Sequence, residues 1–187
     1  MTKIYFALFA GIFCLLSMTA HGQSDESVKT IPSLDVSRYL GTWYEIAKFP
    51  NWFQKKCVSN TKAVYSIRSD GNLKVLNSCK TADGSLSDAE GTARQIGPKD
   101  SPKLEVRFAP AWLSFLPMVW GDYWVIELDS QYQVAAVSDP RREYLWVLSR
   151  TPQLDKKIYD ELLQRLQAQQ FDVRKLELTP QVGAQKN

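Results

Sequence analysis

The chain has 187 residues, 44% hydrophobic and 23% charged, with a formal net charge of +3. That is an ordinary globular composition of about one domain's length, without the charge bias of disorder or the basic excess of a nucleic-acid binder. Its one histidine is His21, so a chain processed after residue 22 has none, which excludes Ser-His-Asp and Cys-His nucleophiles and every His-containing zinc site.

The chain opens with Lys3, the apolar run "IYFALFAGIFCLLSM" and then "TAHGQSDE", where Ala20 and Gly22 suit a small-residue cleavage site. We read 1–22 as a secretory signal peptide and 23–187 as one domain. The apolar core of about fifteen residues falls short of the roughly twenty that span a bilayer. Losing Lys3 with the leader lowers the net charge from +3 to +2, with both signs interspersed, so no anionic partner is indicated. Cys14 would leave with the leader. Its surroundings lack a lipoprotein signature, and a soluble periplasmic or secreted form is expected. The two remaining cysteines, Cys57 and Cys79, then sit in an oxidising space where a bridge between them is expected. The acidic residues are scattered, with no pair placed by a motif around a cleft. No enzyme, cofactor or metal site is expected.

From Gly41 onward, short runs rich in β-branched and aromatic residues alternate with turn signals. Eight strands are predicted: Gly41 to Lys48, Val58 to Arg68, Leu73 to Lys80, Ala89 to Ile96, Lys103 to Phe108, Tyr123 to Leu128, Gln133 to Val137 and Tyr144 to Arg150. The turn "SDGN" at 69–72 makes a hairpin of the second and third, with Gly71 free to take a positive φ. That hairpin brings Cys57 and Cys79 toward one end, with their register about five residues from direct opposition, and a bridge there would stabilise by about 3 kcal/mol. The helical signal is confined to the end, where Leu154, Ile158, Leu162 and Leu166 recur every fourth residue behind a start at Thr151 and Pro152. A last extended piece is predicted at 173–180. The pattern describes an all-β fold: an eight-stranded antiparallel up-and-down barrel, a C-terminal helix packed outside it and a short final strand.

Period-two alternation puts Thr61, Ala63, Tyr65 and Ile67 on one face, Leu73, Val75, Asn77 and Cys79 on another, and Tyr144, Trp146, Leu148 and Arg150 on a third. Apolar faces carrying a few polar groups suit either a small-ligand pocket or a solid barrel core.

"YLGTWYEIAKFP", with Gly41, Thr42 and Trp43, resembles the Gly-x-Trp signature of the lipocalins, and "EYLWVLSRTP" resembles their last barrel strand. With "LDVSRYLGTWYEIAKFPNWFQ" and "AVYSIRSDGNLKVLN", the pattern is similar to the bacterial and apolipoprotein D-like branches over nearly the whole processed chain. The resemblance implies a carrier or store of a fatty acid, lysophospholipid or similar hydrophobic ligand, with a role in cell-envelope maintenance. It implies that Gly41, Trp43 and Arg150 close the bottom of the barrel, the indole stacked beneath the guanidinium for about 0.5 to 2 kcal/mol. By matching strand positions, Tyr65, Asn77 and Trp146 would be ligand-binding residues. Inward alternation adds Ala63, Val75, Tyr123, Val125, Val137, Glu45 and Val106. Two features depart from the family. Bacterial members are often anchored at the outer membrane by lipid, and this leader lacks that signature. The middle motif survives only as "VSDPRREY", with Asp139 in place.

The stretch "APAWLSFLPMVWGDYW", 109–124, is more apolar than a solvent loop. We expect Trp112, Phe115 and Trp120 to form a lid or to touch a membrane surface. Two alternatives stay open: an enzyme of this fold with a free cavity cysteine, and an interaction protein whose barrel is filled by its own side chains.

Overall fold

A computed structural model describes residues 27–183. The expected leader, with Cys14 and His21 and the boundary after residue 22, lies outside the described residues. The strands are β1 (Gly41–Lys48), β2 (Ser59–Ile67), β3 (Leu73–Lys80), β4 (Leu86–Gln95), β5 (Lys103–Arg107), β6 (Gly121–Leu128), β7 (Val134–Ser138) and β8 (Leu145–Ser149). Each pairs antiparallel with its neighbour, and β1 bonds to both β2 and β8, which closes the barrel. The eight expected strands are all present, with ends moved by three residues or fewer.

Because β1 runs from the closed end to the open end, the antiparallel order sends loops 49–58, 81–85, 108–120 and 139–144 to the mouth. Turns 68–72, 96–102 and 129–133 lie at the floor. Gly71 has φ +82° in the hairpin turn, as the sequence requires.

Alternation divides the apolar residues into two cores. Trp43, Tyr65, Val75, Leu104, Tyr123, Val137 and Leu148 pack inside the barrel. On the outer face, Ala47, Ile126, Ala136, Leu145 and Val147 pack with Leu162 and Leu166 of a helix, α2 (Lys156–Ala168). An irregularity between Glu45 and Ala47 in the β1–β8 ladder divides β1 between the two cores, with Trp43 in the inner one and Ala47 in the outer one.

Three expectations need correction. The terminal helix begins at Lys156 rather than at Thr151 and Pro152, because Asp155 caps it by accepting from Lys157 N and Ile158 N at 2.8 and 3.2 Å. Ile158 is consequently exposed in the first turn. Helix is also not confined to the end: the single turn α1 (Val36–Tyr39) is capped by Asp35, and four residues are too few for a periodic signal. The strand expected over 173–180 shrinks to β9 (Glu177–Leu178), since Val173–Lys175 forms a 3-10 turn.

β9 occupies a particular slot. β1 pairs with β2 only through Gly41–Tyr44, and further up its Ala47 and Lys48 pair with β9 instead. The strap continues between the parted strands, with Thr179 N donating to Ile46 O at 2.9 Å and Asn60 N donating to Pro180 O at 2.8 Å. Gln181 Nε2 then reaches the carbonyls of both Glu45 and Thr61, at 2.9 and 3.0 Å. The C-terminal segment thus satisfies backbone groups that the split would orphan.

Candidate functional site

The floor is built around Trp43, which is fully buried. The Arg150 guanidinium carbon lies 4.0 Å from its ring centroid. Arg150 also donates to the carbonyls of Thr42, Arg38 and Tyr132 at 2.9, 2.8 and 3.2 Å, tying the start of β1, α1 and the β6–β7 turn together. Gly41 has φ +91°, and a Cβ there would come within 3.4 Å of the guanidinium, so the glycine admits both the turn and the arginine. The face shared by Tyr144, Trp146, Leu148 and Arg150 therefore ends below the inner core, with the Arg150 guanidinium against the Trp43 ring.

Directly above the floor, the Tyr65 hydroxyl donates to Tyr123 Oη at 2.8 Å, and Tyr123 and Tyr39 share a second bond at 2.9 Å. Tyr39 comes from α1, and its ring also packs on Trp43, tilted by 32° with centroids 4.8 Å apart. Burial pushes all three phenols up, Tyr65 to about 12, so they stay protonated donors. Tyr65 and Tyr123 were among the residues expected to face the barrel interior, and both do; Tyr39 was not, because it belongs to a turn with no pattern of its own.

Of the other expected positions, Ala63, Val75, Val125 and Val137 are buried in the inner core, and Val106 packs against it. Asn77 is half-buried, beside Ala63 on β2 and Ala89 on β4, and its amide makes no side-chain hydrogen bond among the described residues. Ile67 shares the alternation yet is exposed at the end of β2.

Glu45 is 2% exposed and sits at a junction of three segments. Its carboxyl accepts from Gln54 Nε2 at 2.7 Å and from Thr179 Oγ1 at 2.5 Å. Gln54 Oε1 in turn accepts from Trp146 Nε1 at 3.0 Å and from Asn51 Nδ2 at 2.6 Å. Burial raises the Glu45 pKa, outweighing the hydrogen bonds and the nearby Lys48 that lower it. The 49–58 loop is thereby pinned to the barrel by a glutamine that nothing in the sequence marked. Phe53 of the same loop packs on Tyr144 and Trp146, with centroids 5.6 and 6.3 Å apart.

Cys57 and Cys79 form a disulfide with Cα atoms 5.5 Å apart. The five-residue offset is overcome because the chain turns through Gln54–Cys57 before Ser59 joins the ladder opposite Lys80. Neither sulfur is then a free thiol, which removes the nucleophile that the enzyme alternative requires.

At the mouth, Trp112, Phe115 and Met118 of the 108–120 loop are 72%, 74% and 85% exposed, and Trp52 across the opening is 73% exposed. Trp120 behaves differently from its expected partners. It is half-buried against the outer wall, with the guanidinium carbons of Arg94 and Arg107 4.1 and 5.2 Å from its ring. Its Nε1 donates to Ser114 O at 2.8 Å, so it anchors the loop that presents the other aromatics. Asp139, in the degenerate middle motif, accepts from Arg141 N and Tyr144 N at 3.0 and 2.8 Å and shapes the β7–β8 turn. No helix among the described residues is long and apolar enough to cross a membrane.

Comparison with known proteins matches residues 34–181 to the lipocalin-like domain model. The chain is 41% identical over 158 residues to temperature-induced lipocalin-1 of Arabidopsis thaliana, covering 83% of this chain and 84% of that protein. It is 38% identical to the outer membrane lipoprotein Blc of Escherichia coli strain K12, over 84% and 85% of the two chains. Apolipoprotein D of Macaca fascicularis is 34% identical over 80% of this chain and 78% of its own. Among solved structures, insecticyanin of Manduca sexta superposes with a TM-score of 0.65 at 22% identity, covering 85% of this chain and 87% of that one. That likeness concerns the fold.

Proposed function

The chain belongs to the lipocalin family, and on that premise we propose that it is an exported carrier or store of a single-chain lipid, such as a fatty acid or lysophospholipid, acting in maintenance of the cell envelope. The observation that carries this reading is the asymmetry of the barrel: one end sealed by Trp43 and Arg150, the other ringed by exposed aromatics, with a largely apolar wall between. Tyr65, Trp146, Asn77, Ala63, Val75, Val106, Tyr123, Val125 and Val137 would contact the ligand. Glu45 would act indirectly, by holding Gln54 and the loop over the mouth.

Burying a sixteen-carbon chain contributes on the order of 13 kcal/mol at about 0.8 per methylene, against roughly 4 to 15 for association and ordering. Micromolar affinity is then reachable without strong polar contacts. Trp112, Phe115, Met118 and Trp52 form a rim suited to entering a membrane surface, where lipid would be collected. The export expected from the leader, to the periplasm or beyond the cell, agrees with the outer membrane named for one relative.

Native mass spectrometry of the protein purified from its exported fraction, with lipid extraction in parallel, tests the reading. A lipid adduct of defined mass is expected. A barrel that is empty in every preparation and takes up no added lipid would identify an interaction protein with a filled core instead.

A further inference from the structure

Three tyrosines meet over the floor of the barrel, joined by two hydrogen bonds: Tyr65 to Tyr123 at 2.8 Å and Tyr123 with Tyr39 at 2.9 Å. Three hydroxyls carry three hydrogens and the two bonds use two, so one O–H is surplus whichever way the Tyr39–Tyr123 bond runs. Among the described residues no further acceptor engages the cluster, although all three residues are buried. A buried donor with nothing to donate to is unfavourable, and a ligand atom that accepts it removes the penalty.

The surrounding charge restricts what that atom can be. The ladders place Ala93 and Val106 side by side and pair Leu104 with Tyr123, Val125 with Val137, and Ala135 with Leu148, so the wall around the tyrosines is uncharged. Among the described residues, the one cation whose ladder partner faces the barrel interior is Lys48, opposite Trp146 at the mouth, and its ammonium is held 3.0 Å from Glu177. Arg150 lies on the far side of the Trp43 ring. The acid nearest the lumen is Glu45, higher up β1. A carboxylate or phosphate at the floor would therefore be desolvated with one neutral donor and no cation in contact, since the Arg150 guanidinium, which acts on Tyr39 electrostatically, is engaged with the Trp43 ring and three backbone carbonyls.

We propose that the floor of the barrel is a subsite for the oxygen of an uncharged lipid, such as a long-chain alcohol or ester, which enters oxygen-first and accepts the surplus tyrosine hydrogen, in preference to a free fatty carboxylate. The proposal rests on the carrier reading and adds the class and orientation of the cargo. A fatty acid or lysophospholipid would then bind with its charged head at the mouth and forgo the floor contact.

The test is displacement of a fluorescent lipid probe from the full exported protein, at mildly alkaline pH, by four ligands of matched sixteen-carbon chain: the alcohol, the methyl ester, the carboxylate and the plain hydrocarbon. The alcohol and ester are expected to bind about tenfold more tightly than the hydrocarbon and the carboxylate, as one neutral hydrogen bond allows. In the triple variant Tyr39→Phe, Tyr65→Phe, Tyr123→Phe the preference for alcohol over hydrocarbon should vanish while hydrocarbon affinity persists. If that variant does not fold, the infrared carbonyl band of an isotope-labelled ester bound to the unaltered protein replaces it. A band shifted to lower frequency, as hydrogen bonding requires, supports the subsite, and an unshifted band overturns it. Carboxylate binding as tightly as alcohol, or a preference that survives in the triple variant, also overturns it while leaving the carrier reading intact. Failure of all four ligands to displace the probe overturns both.

Discussion

The two ends of this barrel are held by different kinds of interaction. At the floor, Trp43, Tyr39 and Arg150 join α1, β1 and the β6–β7 turn through a stacked cation and four short hydrogen bonds to backbone carbonyls. At the mouth, the 49–58 loop and the C-terminal strap meet on one buried carboxyl, while large aromatics a few residues away face solvent. The closed end spends its aromatics on packing, and the open end displays them. Local stability in a fold follows the density of buried contacts, so the mouth is the end suited to opening.

The comparison is tested most severely at the floor. Trp43→Ala removes the largest fully buried side chain and should lower unfolding free energy by about 3 to 5 kcal/mol, read as a fall in the urea midpoint. A loss under about 1 kcal/mol would mean that the floor is not the stable end. Next in size is the covalent tie at the mouth. Replacing Cys57 and Cys79 together by alanine releases a crosslink spanning 22 residues and should cost about 3 kcal/mol. Hydrogen exchange should rise chiefly in the 49–58 loop, and a rise spread evenly over the barrel would deny that the ends are independent.

Legibility in the sequence divides along the same line. The eight strands, the hairpin at 69–72 and the Trp43–Arg150 contact were readable because alternation and turn chemistry are local, and the floor matches a known signature. The mouth was less readable, because its contacts join side chains far apart in the chain and carry no period. Gln54 bridges Glu45 to Trp146, and Thr179 reaches Glu45 from 134 residues away. Trp120 looked equivalent to Trp112 and Phe115 in sequence, and only the placement of Arg94 and Arg107 on the outer wall distinguishes it. The irregularity after Glu45 moves Ala47 to the outer core, which strict alternation from Trp43 does not anticipate.

A subtler difference between the ends is its response to pH. Burial lifts the Glu45 pKa above its ordinary 4.5, so the folded chain keeps that proton to a higher pH than the unfolded chain does. The folded state then binds more protons in the interval between the ordinary and the raised value, and stability falls as pH rises through it. The Glu45 contribution is complete below 4.5 and is lost above the folded pKa. Glu45→Gln cannot titrate and should flatten this part of the profile. Urea midpoints of both proteins across the acid range provide the measurement. Parallel profiles would remove Glu45 as the group that makes the mouth sensitive to pH.

The smallest effect on stability belongs to the rim, and there it is informative because it should be nearly nil. Trp112 and Phe115 are 72% and 74% exposed, so replacing both by serine should move the unfolding free energy by no more than about 0.5 kcal/mol. Lipid transfer from vesicles should nevertheless fall severalfold, since the apolar area offered to the membrane is what these side chains supply. Trp120→Ser is the matched control. It removes a ring held beside two guanidiniums, which should cost on the order of 1 kcal/mol of stability, and its effect on transfer should come only through a loosened loop. Were the double variant to transfer lipid at the unaltered rate with its fold intact, the exposed aromatics would have no part in collecting lipid, and the contrast between the ends would be one of stability alone.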